Sequence, residues 1–174
     1  VLSVDVLVEN NTLRAPLDKG PANSAYAENV RWVNNRIYSD PLNTVLVSGL
    51  GITAVTKPFT QRNTIYDARR YGVVVAGCSD GRFVDDIIEG ATVEGARYSH
   101  GKGAIFRGIA VRSDDKRPSG VGVQVFSTVT NSLMTGVMCE GAGVSNATSI
   151  QFLATGSRII DSVQFDGAFR TNTA

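Results

Sequence analysis

Three short stretches hold the candidate side chains for acid–base chemistry. The run SDDKRPSG (113–120) sets Asp114 beside Asp115, SHGKG (99–103) carries His100 and Lys102, and CSDGR (78–82) carries Asp80. Two carboxylates facing each other across a substrate are the acid and the base or nucleophile of glycosidic hydrolysis. A Lys or His would instead serve as the base of an elimination. Asp114 and Asp115 are therefore the candidate carboxylates, and His100 with Lys102 the candidate base. Arg97, Tyr98 and Gln124 lie in neighbouring apolar runs and could hold a ligand: Tyr98 by its flat ring, Arg97 and Gln124 as hydrogen-bond donors. The stretch 113–120 reads equally as a solvated turn whose charges offset one another.

His100 is the only histidine, and no ligand spacing such as HxH or HExxH surrounds it, so no transition-metal site is expected. The acidic DGRFVDD lacks the spacing of an EF-hand loop, and no cofactor is implied. Seventeen basic residues against sixteen acidic give a formal charge of +1. That balance argues against a nucleic-acid partner, which would require a basic face. No apolar run approaches the ~20 residues that span a bilayer, so membrane insertion is not expected. Cys78 and Cys139 read as buried free thiols.

These residues must be positioned by elements, and the elements repeat. VENNTL (8–13) returns as WVNNRI (32–37) and TQRNTI (60–65), then more weakly as FVDDII (83–88), AIFRGI (104–109), SLMTGV (132–137) and RIIDSV (158–163). The final residues, Leu13, Ile37, Ile65, Ile88, Ile109, Val137 and Val163, are separated by 24, 28, 23, 21, 28 and 26 residues. All are aliphatic, which predicts one buried column. Two positions earlier stand Asn11, Asn35, Asn63, Asp86, Arg107, Thr135 and Asp161. Asn accepts the left-handed conformation of a sharp corner, and stacked amides can bond along the stack. A third strand precedes each corner, as in YGVVVAG, GARYSH, GVQVFS and TSIQFLAT, and the intervening connections vary in length. A sandwich gives no reason for a corner Asn at this period, and no sustained helical periodicity is present.

Three short strands per ~25-residue rung with Asn at one corner resembles the right-handed parallel β-helix of the pectate-lyase-like superfamily, and most closely a bacteriophage tail spike segment. The expected fold is all-β, a solenoid of about seven rungs, with residues 1–174 forming a single domain cut from a longer chain. Solenoid ends need caps, and neither end of this sequence supplies one, so flanking domains or other copies are expected to cover them.

The resemblance implies a polysaccharide laid over one sheet face and bordered by loops. On that face Asp80, Arg97, Tyr98 and Gln124 would bind, and Asp114, Asp115, His100 and Lys102 would catalyse. The implied partner is a bacterial surface polysaccharide, the assembly a homotrimer, and the location the virion or the extracellular space. Two other readings stay open: a secreted polysaccharide lyase or glycoside hydrolase, and a non-catalytic shaft or adhesin stalk. Asp85-Asp86 is similar to the DD motif of polygalacturonases, but SHGKG is only a broken GHG and no RIK follows. Asp86 also falls in the corner column, which points to a structural role.

Overall fold

The computed structural model describes residues 3–14, 22–38, 48–66, 70–91, 93–112, 121–140, 148–161, 163–164 and 168–171. They form a parallel β-helix with no helical segment. Each turn of the chain passes through three sheets, and each sheet contains seven strands paired in parallel. The first sheet runs from Leu7–Glu9 through Arg31–Val33, Phe59–Gln61, Arg82–Val84, Ile105–Arg107 and Leu133–Thr135 to Arg158–Ile160. The second contains Thr12–Arg14, Arg36–Tyr38, Thr64–Tyr66, Ile87–Glu89, Ala110–Arg112, Met138–Glu140 and Val163–Gln164. The third contains the longer strands Ala22–Ala25, Ser48–Thr53, Tyr71–Ala76, Glu94–Ser99, Val121–Val125, Thr148–Phe152 and Ala168–Thr171.

Sharp corners join the first and second sheets, always across two residues. The left-handed residue of this corner is Asn10, Asn34, Arg62, Asp85, Gly108, Gly136 or Asp161, with φ between 48° and 64°. This corrects the expectation that Asn11, Asn35 and Asn63 take that conformation; they follow it. Their role is the ladder. The Asn35 and Asn63 side-chain amides donate one rung onward, to Asn63 Oδ1 and Asp86 Oδ1, each at 2.9 Å. Each also donates one rung back, to the carbonyls of Val8 and Trp32, both at 2.9 Å. Asp86 ends the ladder as a pure acceptor, taking the Asn63 N–H at 2.9 Å and the Thr60 hydroxyl. Asn35, Asn63 and Asp86 are all buried, so each bond replaces water that cannot reach them.

The aliphatic column holds directly for Leu13, Ile37, Ile65 and Ile88, which pair in register. Beyond Ile88 the register expectation needs correction: the true neighbours are Val111 and then Cys139. Ile109 and Val137 are buried, but at the corner, where they replace the ladder amides. Arg107 and Thr135 are the last residues of first-sheet strands. The reason is physical: once the corner becomes apolar, aliphatic residues occur at two positions per rung, and spacing alone selects the wrong one.

Inside the prism, Trp32, Phe83, Phe106 and Met134 project from the first sheet against Leu50, Val73, Ala96, Val123 and Ile150 from the third. Phe83 stacks on Phe106 at 5.3 Å between ring centroids. The third sheet meets the second at a column of glycines, Gly49, Gly72 and Gly95. A Cβ on Gly72 would lie 2.2 Å from Ile88 Cγ2 and 2.5 Å from the Gly95 carbonyl oxygen, so the close approach excludes any side chain. Connections from the second sheet to the third range from three residues (165–167) to nine (39–47), so most of the length variation falls on one side of the stack.

Candidate functional site

The outer face of the third sheet is built by alternation. Along each strand, Val73 and Val75, Ala96 and Tyr98, or Val123 and Val125 point inward, and the residue between them points out. In register, these outward residues are Gly51, Val74, Arg97, Gln124 and Gln151. Arg97 is fixed by Glu94 of the same strand: its Nε donates to Oε2 at 2.7 Å and an Nη to Oε1 at 2.5 Å. Glu94 is only 4% exposed, and the guanidinium neutralises its charge. The pairing holds the Arg97 pKa above its ordinary value.

The guanidinium also lies over the ring of Tyr71 at 4.5 Å and that of Phe126 at 5.4 Å. With its nitrogen turned to Glu94, the Gln124 amide reaches the two carboxylate oxygens at 3.1 and 3.2 Å. Its oxygen then faces Gln151. The result is a strip of two amides and one guanidinium on three successive rungs, held over a buried carboxylate. Glu94 takes up two of the five guanidinium N–H donors, which leaves the others for a ligand. Such a strip offers both donors and acceptors at one polar position per rung. Glu94 is engaged throughout and is not a free acid or base.

The structure brings together Arg97 and Gln124 from the sequence-derived set. Tyr98 is a correction: it is 3% exposed and packs inside, 4.2 Å from Phe106 and 5.1 Å from Phe83. Consecutive strand residues face opposite ways, so with Arg97 outside, Tyr98 cannot offer its ring to a ligand. Burial raises its pKa well above the ordinary phenol value. Asp114 and Asp115 lie outside the described residues. His100 is an exposed corner residue with φ 52°, its N–H on the Thr128 hydroxyl at 3.0 Å. Lys102 is exposed and pairs with Thr130 in a small two-stranded sheet. Asp80 sits one rung before Lys102, bonded to its carbonyl at 2.9 Å, at the corner that leads into the first sheet. Asp80 and Lys102 thus belong to a different edge from Arg97 and Gln124.

Sequence reasoning missed Glu94, Gln151, Tyr71 and Phe126. Gln151 was visible, because the aligned runs GVQVFS and TSIQFLAT each place Gln in mid-strand. Among the described residues no group of three or more potential metal ligands occurs. A narrow gap lined by Val75, Cys78, Phe83, Tyr98, Phe106 and Val129 is a packing feature of the interior. Burial raises the pKa of the Cys78 thiol that borders it.

No family model matches the chain, and no curated protein matches it. Solved structures do. Bacteriophage CBA120 tailspike protein 3 superposes with a TM-score of 0.69 at 15% identity, covering 96% of this chain and 27% of that one. The periplasmic alginate epimerase AlgG gives a TM-score of 0.67 at 10% identity, covering 94% and 40%. The A-module of the Azotobacter vinelandii mannuronan C-5 epimerase AlgE4 gives 0.61 at 12% identity, covering 98% and 56%. The fold shared with these structures is the parallel β-helix. At these identities the likeness concerns architecture, and the chain spans less than two thirds of each of these proteins.

Proposed function

We propose that this chain is the polysaccharide-recognising β-helix of a tailspike-like receptor-binding protein, and that it reads its glycan on the outer face of the third sheet. The observation that carries the reading is the Arg97–Gln124–Gln151 strip, preset by Glu94. Neighbouring strands lie about 4.8 Å apart, so successive rungs can address successive hydroxyl groups of one extended sugar chain. Amides suit hydroxyls because each both donates and accepts. The similarity to a tailspike and to two alginate epimerases supports a polysaccharide ligand. A homotrimeric assembly on a phage tail, or an extracellular location, follows from the same reading.

The test is binding of the intact protein to a panel of bacterial surface polysaccharides, with Gln124→Ala, Gln151→Ala as the variant. The expected result is binding of at least one glycan by the parent and a loss of about tenfold or more in the variant. Binding to none of a broad panel would leave the structural shaft as the better account. Cleavage is tested with Asp114→Asn, Asp115→Asn: retained binding with lost depolymerisation would identify that pair as the catalytic carboxylates.

A further inference from the structure

The first sheet presents a different surface. Its first outward column reads Leu7, Arg31, Phe59, Arg82, Ile105, Leu133 and Arg158 in register. Arg31, Phe59 and Arg82 therefore stack on three successive rungs, and the Arg31 guanidinium lies over the Phe59 ring at 5.3 Å. Around Phe59 the surface opens into a cleft of about 340 Å3 lined by Lys57, Pro58, Phe59, Asp80 and Arg82. Arg107 ends the next strand of the same sheet and is exposed.

What sets this face apart is the cleft at Phe59, flanked in register by Arg31 and Arg82; its guanidiniums form no ion pair among the described residues, as is also true of Arg14 and Arg36 on the second sheet. Arg97 on the third sheet is bound to Glu94, and Arg112 on the second lies 3.4 Å from Glu89 and 3.7 Å from Glu140. Among the described residues, Arg31, Arg82, Arg107 and Arg158 form no ion pair. Lys57 reaches Glu28 only at 4.0 Å, with both side chains largely exposed. Acidic groups near the face are Glu9, at the end of its first strand, Glu28 beside Lys57, and the corner residues Asp5, Asp80, Asp85 and Asp161.

We propose that the outer face of the first sheet is a second glycan-binding surface, selective for an acidic polysaccharide, with the cleft around Phe59 as its principal subsite. The reading is independent of the third-sheet strip. A sugar acid carries a carboxylate for Arg82 and Lys57, an apolar ring face for Phe59, and hydroxyl donors for Asp80. The rise of about 4.8 Å per rung is close to one sugar residue of an extended chain, so the cations of adjacent rungs can meet successive acidic residues. Asp80 in the cleft disfavours a uniformly anionic polymer without hydroxyl donors, which separates this ligand class from DNA.

The experiment titrates the intact protein with an oligogalacturonate of about ten residues and with neutral dextran, by calorimetry at low and moderate salt. The expected result is binding of the acidic oligomer alone, weakening as salt rises. Arg31→Gln, Arg82→Gln should weaken it about tenfold or more, with an unchanged melting temperature because both side chains are exposed. Gln124→Ala, Gln151→Ala on the third sheet should leave that affinity unchanged, which separates this site from the one proposed above. The proposal is overturned if the parent does not bind the acidic oligomer, or if the arginine variant binds it as tightly as the parent. It is likewise overturned if only the glutamine variant loses binding.

Discussion

Asp86 shows what one residue does to a stack. The Asn ladder runs in one direction, each amide donating to the next rung, so it must end on a group that accepts without needing to donate. A carboxylate is such a group, and beyond it the corner turns apolar at Ile109 and Val137. Removing Asn35 leaves its neighbours' buried polar groups unpartnered, so Asn35→Ala should lower stability by about 1–3 kcal/mol in chemical denaturation. Burial is the main cause that lifts the Asp86 pKa from 3.8 to about 6, against the opposing bonds from Thr60 and Asn63; the nearby Asp85 adds to the rise. The folded state thus holds the proton over a pH range where the unfolded chain has released it. Its contribution is complete below about pH 4 and is lost as pH rises through about 6, to the extent of about 3 kcal/mol. Asp86→Asn, whose amide can donate back toward the Thr60 rung as Asn63 does toward Trp32, should flatten the stability profile over that interval. An unchanged profile would show that Asp86 is not its source. The ladder was legible in the sequence because three asparagines share one column. The left-handed residue was legible too: Asn10, Asn34, Gly108 and Gly136 are the two residue types that tolerate positive φ, and aligning them would have placed Val111 and Cys139 correctly.

The element that sequence spacing concealed is the contact between the third and second sheets. Gly72 has no positive φ, so its need for glycine is purely one of space. In most positions of that kind, Gly→Ala stabilises by restricting the unfolded chain. Here the added Cβ meets the Ile88 side chain and a backbone carbonyl that cannot swing away, and Gly95 meets Val111 and the Gly122 carbonyl in the same manner. Gly72→Ala and Gly95→Ala should each destabilise by about 1–3 kcal/mol or more, read as a fall in melting temperature. Gly136→Ala is a useful contrast, since its Cβ would find only a backbone nitrogen at 3.8 Å, and the penalty there comes from φ 58° alone. The candidate strip was half legible at this scale. Arg97 and Gln124 were legible as ligand-facing residues, whereas Tyr98 was placed with them although strand alternation turns it inward beside an outward Arg97. Glu94 lies three residues before Arg97, a spacing at which strict alternation puts two side chains on opposite faces, so the pairing was not legible in the sequence.

For the whole molecule, the near-zero net charge conceals an uneven surface: Arg97 and Arg112 are paired with carboxylates, whereas Arg31, Arg82, Arg107 and Arg158 of the first sheet form no ion pair among the described residues. The same linear construction governs how the protein comes apart. Every strand pairs only with the rungs immediately before and after it, so stability is transmitted one interface at a time. Phe106 sits at the aromatic centre, 0% exposed, stacked on Phe83 and tilted against Tyr98. Phe106→Ala should cost about 3–5 kcal/mol, concentrated at a single rung. In a domain with one globular core that loss would be shared everywhere. In this stack it should uncouple the two sides. The rungs before it retain the Asn ladder and the Ile37–Ile65–Ile88 column, whereas those after it include fewer strands to each sheet. Hydrogen exchange followed by mass spectrometry should show protection retained in Arg31–Val33 and Thr64–Tyr66 and reduced in Leu133–Thr135 and Thr148–Phe152. Equal loss on both sides would mean that the prism unfolds as one cooperative unit, with the interfaces between rungs stronger than any single rung.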